Sequence, residues 1–91
     1  MKYEIKPSNQ FKKDLKLAEK RGYKIKLVAD VIKKLANGET LEAKYKDHQL
    51  SGNFGFCREC HIQPDWLLIY EIDGDELLLY LLRTGTHSDL F

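Results

Sequence analysis

The stretch Trp66–Arg83, WLLIYEIDGDELLLYLLR, decides the fold. Its two apolar runs flank Asp73-Gly74-Asp75, a turn signal that predicts two strands at about Trp66–Ile72 and Glu76–Arg83. So short a connection makes them antiparallel. Leu67, Leu68 and Ile69, then Leu77 through Leu82, leave neither face polar. Both strands should therefore be central, in a sheet that helices cover on at least one side.

Upstream, Pro64-Asp65 marks another tight turn, and Phe56–Gln63 supplies a further strand of the same meander. Residues 39–53 contain Tyr45-Lys46-Asp47-His48 and Leu50-Ser51-Gly52-Asn53, have no clear period, and read as a long ordered loop. Before them the period is helical. From Asn9 to Arg21, Phe11, Leu15 and Ala18 recur at four and three, and Gly22 is the stop. From Lys24 to Ala36, Leu27, Val28, Val31, Ile32 and Leu35 form a broad apolar stripe ended by Asn37-Gly38. At the start, Lys2–Lys6 alternates Tyr3 and Ile5 with charged neighbours, Pro7 ends that strand, and Ser8 offers an N-cap. The sum is one α+β domain over residues 1–91, in the order β-α-α-β-β-β. An N-terminal helical hairpin packs on a small, twisted, mainly antiparallel sheet.

A chain of 91 residues, 43% hydrophobic, can bury one core, with about 60–65% of its unfolded surface removed from water. It is too short for a Rossmann nucleotide-binding unit. No run approaches the ~20 apolar residues of a membrane span, and the start Met-Lys-Tyr-Glu-Ile lacks the apolar core of a signal peptide. The expectation is a cytoplasmic protein with no membrane partner. The formal charge of +1 hides a polarity: residues 1–50 hold 13 Lys or Arg against 7 Asp or Glu, and residues 51–91 hold 2 against 7. The first half is thus +6 and the second −5.

The three histidines are the candidates for chemistry, and this reading puts none of them in a helix. His48 falls in the long loop, His61 near the end of the second strand, and His87 in a polar tail after the last. In a meander His61 should lie close to Asp65, whereas Arg83 and the tail should lie far from that hairpin unless the tail folds back. These residue types suit metal-free, cofactor-free phosphoryl chemistry on RNA. Attack by a 2′-hydroxyl needs a base, an acid for the leaving 5′-oxygen, and a cation against charge developing on phosphorus. Imidazole can carry either proton near neutrality, Arg83 can fork two phosphate oxygens, and Asp65 or Glu59 can fix an imidazole tautomer or move protons. The plainer alternatives are solvated histidines, an Arg83 paired with a carboxylate, and Asp65 as an ordinary turn residue.

Cys57 and Cys60 invite a metal or redox reading, which strand parity weakens. Three residues apart, they point to opposite faces, whereas a Cys-x-x-Cys chelate needs a turn or helix start. The same parity puts Cys57, Glu59 and His61 on one face, and Phe56, Arg58, Cys60 and Ile62 on the other.

In order and spacing, Tyr45-Lys46-Asp47-His48, Leu50-x-Gly52, Arg58-x-x-His61, Pro64-Asp65-Trp66, Arg83-Thr84-Gly85-Thr86-His87 and Leu90-Phe91 resemble YafQ-type toxins of the RelE/ParE superfamily. The likeness extends to Lys16-Leu17-Ala18-Glu19-Lys20-Arg21 in the first helix. It implies a ribosome-dependent mRNA endonuclease of a type II toxin–antitoxin system, monomeric when free, whose partners are a cognate antitoxin, the ribosome and the translated mRNA. It implies His48, His61, Asp65 and His87 as the catalytic set, Arg83 as a phosphate contact, Phe91 and Glu59 among the groups that position RNA, and a tail that folds back so that His87 and Phe91 join the sheet-side cleft. The family often carries Asp where this chain has Glu59, and Cys57 and Cys60 lie outside its pattern. Two rivals compete with this reading: a ParE-like gyrase poison that needs no histidines, and an interaction module working through its basic helices.

Overall fold

The computed structural model describes residues 1–91. Strand β1 (Glu4–Pro7) leads into helices α1 (Asn9–Lys20) and α2 (Ile25–Ala36). A two-residue strand β2 (His48–Gln49) precedes β3 (Arg58–Gln63), β4 (Trp66–Asp73) and β5 (Leu78–Gly85), and a short helix α3 (His87–Leu90) follows. The sheet order is β1-β5-β4-β3-β2, with β1 parallel to β5 and every other pair antiparallel. The two strands of the opening stretch are interior, as their two-sided apolarity requires.

Local signals explain the helices. Ser8 caps α1 by accepting the Phe11 N–H at 2.9 Å, and its hydroxyl donates to the Leu82 carbonyl, also at 2.9 Å, which ties the helix start to β5. Gly22, at φ +82°, turns the chain into the second helix. The helices bury Phe11, Ala18, Val28, Val31, Leu35 and Ala36 against Cys60, Ile62, Trp66, Leu68, Tyr70, Leu79 and Leu81 of the sheet. Each large apolar side chain fully buried there contributes roughly 1.5–3 kcal/mol. Leu67, Ile69 and Cys57 are also buried but lie outside this cluster, as strand alternation demands.

The structure corrects four expectations. Residues 39–53 are not wholly loop: two 3-10 turns, Ala43–Tyr45 and Gly52–Phe54, flank β2, which sets His48 opposite Glu59 and Gln49 opposite Arg58. Two residues are too few to show a period. The polar tail is not irregular either, for Thr86 and Asp89 form a capping box that starts α3 at His87. β5 begins only at Leu78, because the Asp73 carboxylate accepts the N–H groups of Asp75 and Glu76 and Leu77 turns at φ +58°. Finally, antiparallel pairing puts Gly85 opposite Leu67, so the end of β5 already lies beside the start of β4 and the β3–β4 turn. The simple meander picture is what fails here: register alone brings the tail near that hairpin, where the resemblance implies His87 should be. No helix is long and apolar enough to cross a membrane.

Candidate active site

The rim of the sheet at the β3–β4 turn gathers all three histidines. His61 ends the regular part of β3, just before a bulge, and pairs with Leu67. β2 brings His48 to the neighbouring position, with the two imidazole centroids 6.4 Å apart. α3 brings His87 to the other side of His61, edge to face at 5.7 Å. The result is a row, His48–His61–His87, assembled from three separate segments.

Carboxylates fix this row. The Asp65 carboxylate receives two bonds from one residue, the His87 backbone N–H at 3.0 Å and its ring Nδ1 at 2.7 Å. These two bonds, the backbone one foremost, hold the Asp65 carboxyl below its ordinary range. An ionised acceptor on Nδ1 means that Nδ1 carries the hydrogen, which leaves Nε2 as the working nitrogen of His87. His48 Nδ1 lies 2.7 Å from the Lys46 carbonyl, so it too is a donor, and its Nε2 faces Glu59. Glu59 is 5% exposed, and its Oε1 lies 3.6 Å from His48 Nε2 and 3.5 Å from His61 Nε2. At those lengths the contacts are electrostatic more than hydrogen-bonded. Parity thus put Glu59 and His61 on one surface, and β2 adds His48 to it.

Arg83 has a partner within the protein. Its Nε and Nη2 lie 2.7 and 3.2 Å from the two oxygens of Asp14, the plainer alternative for this residue. Asp14 also accepts the Thr84 N–H and the Gln10 side chain. Burial disfavours its charge, but these bonds outweigh burial and lower its pKa. Phe91 packs edge to face on Phe54, centroids 5.8 Å apart, and both rings are exposed.

Asp14, Asp47, Phe54 and Asp89 join the site although the sequence assigned none of them a role, Asp47 even though it stands in the Tyr45–His48 motif. Asp14 was legible: it lies three residues from Phe11 and four from Ala18, inside the buried stripe of α1. Asp47 receives the Tyr70 hydroxyl and Arg58 Nε and so anchors the chain just before His48, a tertiary contact without a local signal. The cysteines are free and buried, and burial pushes the Cys60 thiol up to about 12, far from a reactive thiolate.

Glu59, His61 and His87 offer ligand atoms within 4.8 Å of one another, a donor set that fits a divalent transition metal.

Comparison with known proteins identifies the family. Over 89 residues, 97% of this chain and 95% of the other, the sequence is 42% identical to the "mRNA interferase toxin YafQ" of Escherichia coli K12. The fold is similar to the toxin in the E. coli DinJ–YafQ toxin–antitoxin complex, with TM-score 0.89, 40% identity and coverage of 100% and 99% of the two chains. It is also similar to a metal-bound toxin from Helicobacter pylori, with TM-score 0.92, 46% identity and full coverage of both. The YafQ profile, described as a bacterial toxin of type II toxin–antitoxin systems, matches residues 3–91, and the chain belongs to that family.

Proposed function

We propose that this toxin is a ribosome-dependent mRNA interferase, which cuts messages during translation in the cytoplasm and is silenced by a cognate antitoxin. The names of its relatives support the activity and the antitoxin. The observation that carries the chemistry is the His61–His87 contact with Asp65 locked onto His87 Nδ1. His87 has 54% of its side chain accessible, against 49% for His48 and 16% for His61; His48 turns its Nε2 toward Glu59, which leaves the Nε2 of His87 as the better placed to meet RNA.

Cleavage then follows from proton transfers alone. The 2′-oxygen attacks the adjacent phosphorus and its proton passes to a base in the row. The bond from phosphorus to the 5′-oxygen breaks as an acid protonates that oxygen, which leaves a 2′,3′-cyclic phosphate and a 5′-hydroxyl. His87 carries one of these protons. Asp65, its oxygen already engaged twice, orients His87 and does not itself shuttle protons. Glu59 sits between His48 and His61 and stabilises whichever of them is charged. Phe54 and Phe91 offer a stacking platform for a base, worth about 1–3 kcal/mol. Arg83 meets phosphate through its remaining Nη1 or by leaving Asp14.

Charge explains the need for the ribosome. The segment bearing Glu59, His61, Asp65 and His87 is net −5, which draws in no free RNA. The +6 half exposes Lys12, Lys13, Lys16 and Lys20 on α1 to ribosomal RNA phosphates, contacts that weaken as salt rises. The monomeric toxin supplies a site, and the ribosome aligns the message.

The test adds purified protein to a translating extract and maps mRNA ends. New 5′-hydroxyl ends within the reading frame, absent when the same mRNA is naked, are expected. No new ends, with DNA supercoiling inhibited instead, would overturn the reading. The metal-bound relative suggests a second measurement. Zinc or copper held by Glu59, His61 and His87 would occupy the lone pairs needed for protons. Added zinc should therefore suppress cleavage and EDTA should leave it intact, whereas loss of activity in EDTA would contradict the metal-free scheme.

A further inference from the structure

His87 stands on a four-residue helix after β5, an element too short to hold its shape alone. Asp65 holds it from one side. The other side is held through Asp89, two residues on. Arg21, at the end of α1, places Nη1 2.6 Å from Asp89 Oδ2 and Nη2 3.2 Å from Oδ1, a two-point fork. The same Oδ2 accepts the Thr86 N–H at 3.0 Å, and the Asp89 N–H donates to the Thr86 hydroxyl at 3.1 Å. Arg21 first, and then Thr86, hold the Asp89 carboxyl well below the usual carboxylate range. Gly85 makes the approach possible, since a Cβ there would stand 3.0 Å from both Cβ and Oδ2 of Asp89.

We propose that Arg21 is a positioning residue for the nuclease reaction: through Asp89 it clamps α3 so that the His87 ring stays over Asp65 and beside His61. The inference rests on the reading that His87 carries a proton in the reaction. A basic residue at the end of the first helix then governs the rate without touching RNA. Because positioning within fractions of an ångström matters for proton transfer, release of the clamp costs rate and not affinity.

The test compares Arg21→Gln, Asp89→Asn, the double variant, Arg21→Lys and Gly85→Ala with the wild-type chain, in the free protein and on programmed ribosomes. Arg21→Gln and Asp89→Asn should each lower the single-turnover cleavage rate about 10- to 100-fold, with ribosome affinity unchanged. The double variant should be no slower than the slower single, as both remove one interaction. Arg21→Lys should recover part of the rate, and Gly85→Ala should lower it by crowding Asp89. In the free protein, NMR should show faster exchange of the His87 amide and loss of the ring signature of an Nδ1–H bound to carboxylate, while core amides keep their protection. These readouts need no catalysis, so they judge the clamp even if cleavage is disproved. Unchanged His87 protection, additive losses in the double variant, or an Arg21→Gln defect confined to ribosome affinity would each overturn the proposal.

Discussion

The helix-facing side of the sheet and the rim that carries the histidines are held together by different physics. On the first, Trp66, Leu68, Tyr70, Leu79 and Leu81 are nearly inaccessible and pack against the two helices. At the rim, β2 and α3 are two and four residues long and bury little apolar surface. Their places come from Asp47, Asp65 and Asp89, each bonded to a residue distant in sequence. Asp14 links the two regions: it lies in the buried stripe of α1 yet ties down Arg83 and Thr84 near the end of β5. Apolar burial hardly depends on pH between 3 and 8, but charge-assisted bonds do. The site can therefore be loosened while the fold stands.

Three measurements could break that division. The largest effect belongs to the core: Leu68→Ala should lower unfolding free energy by about 2–5 kcal/mol in a denaturant titration. Asp14→Ala comes next, at about 1–2 kcal/mol, because it strands the Thr84 N–H and Arg83, the latter a third exposed and partly screened. A cost for Asp14→Ala as large as that for Leu68→Ala would erase the distinction. The smallest effect is that of acid. Asp65, Asp89 and Asp14 have pKa values lowered by folding, so their contribution is complete above their unfolded values near ~4 and is lost as pH falls through the folded ones. On acidification below about pH 4, amide protection in α3 should vanish before that of β4. Simultaneous loss in both would mean that the rim is part of the core.

The same division explains what could be read from the chain in advance. Elements long enough to show a period, from the α1 stripe to the Trp66–Ile72 run, are where their spacing puts them, to within a residue or two at each end. β2 and α3 are shorter than any period. α3 still left a trace, since Thr86-x-x-Asp89 has capping-box spacing ahead of the final Leu90-Phe91. The proximity of His87 to His61 followed from the register of β4 and β5, whose consequence for the tail is geometric and needs no motif. The partner of Arg83 was not legible, because 69 residues separate it from Asp14.

His87 is the residue on which the proposed cleavage depends, so the most direct test is His87→Gln in single-turnover cleavage on programmed ribosomes, with antitoxin binding measured on the same preparation. The prediction is a fall of about 10²- to 10⁴-fold in cleavage with antitoxin affinity retained. Cleavage by the variant at the wild-type rate would contradict it.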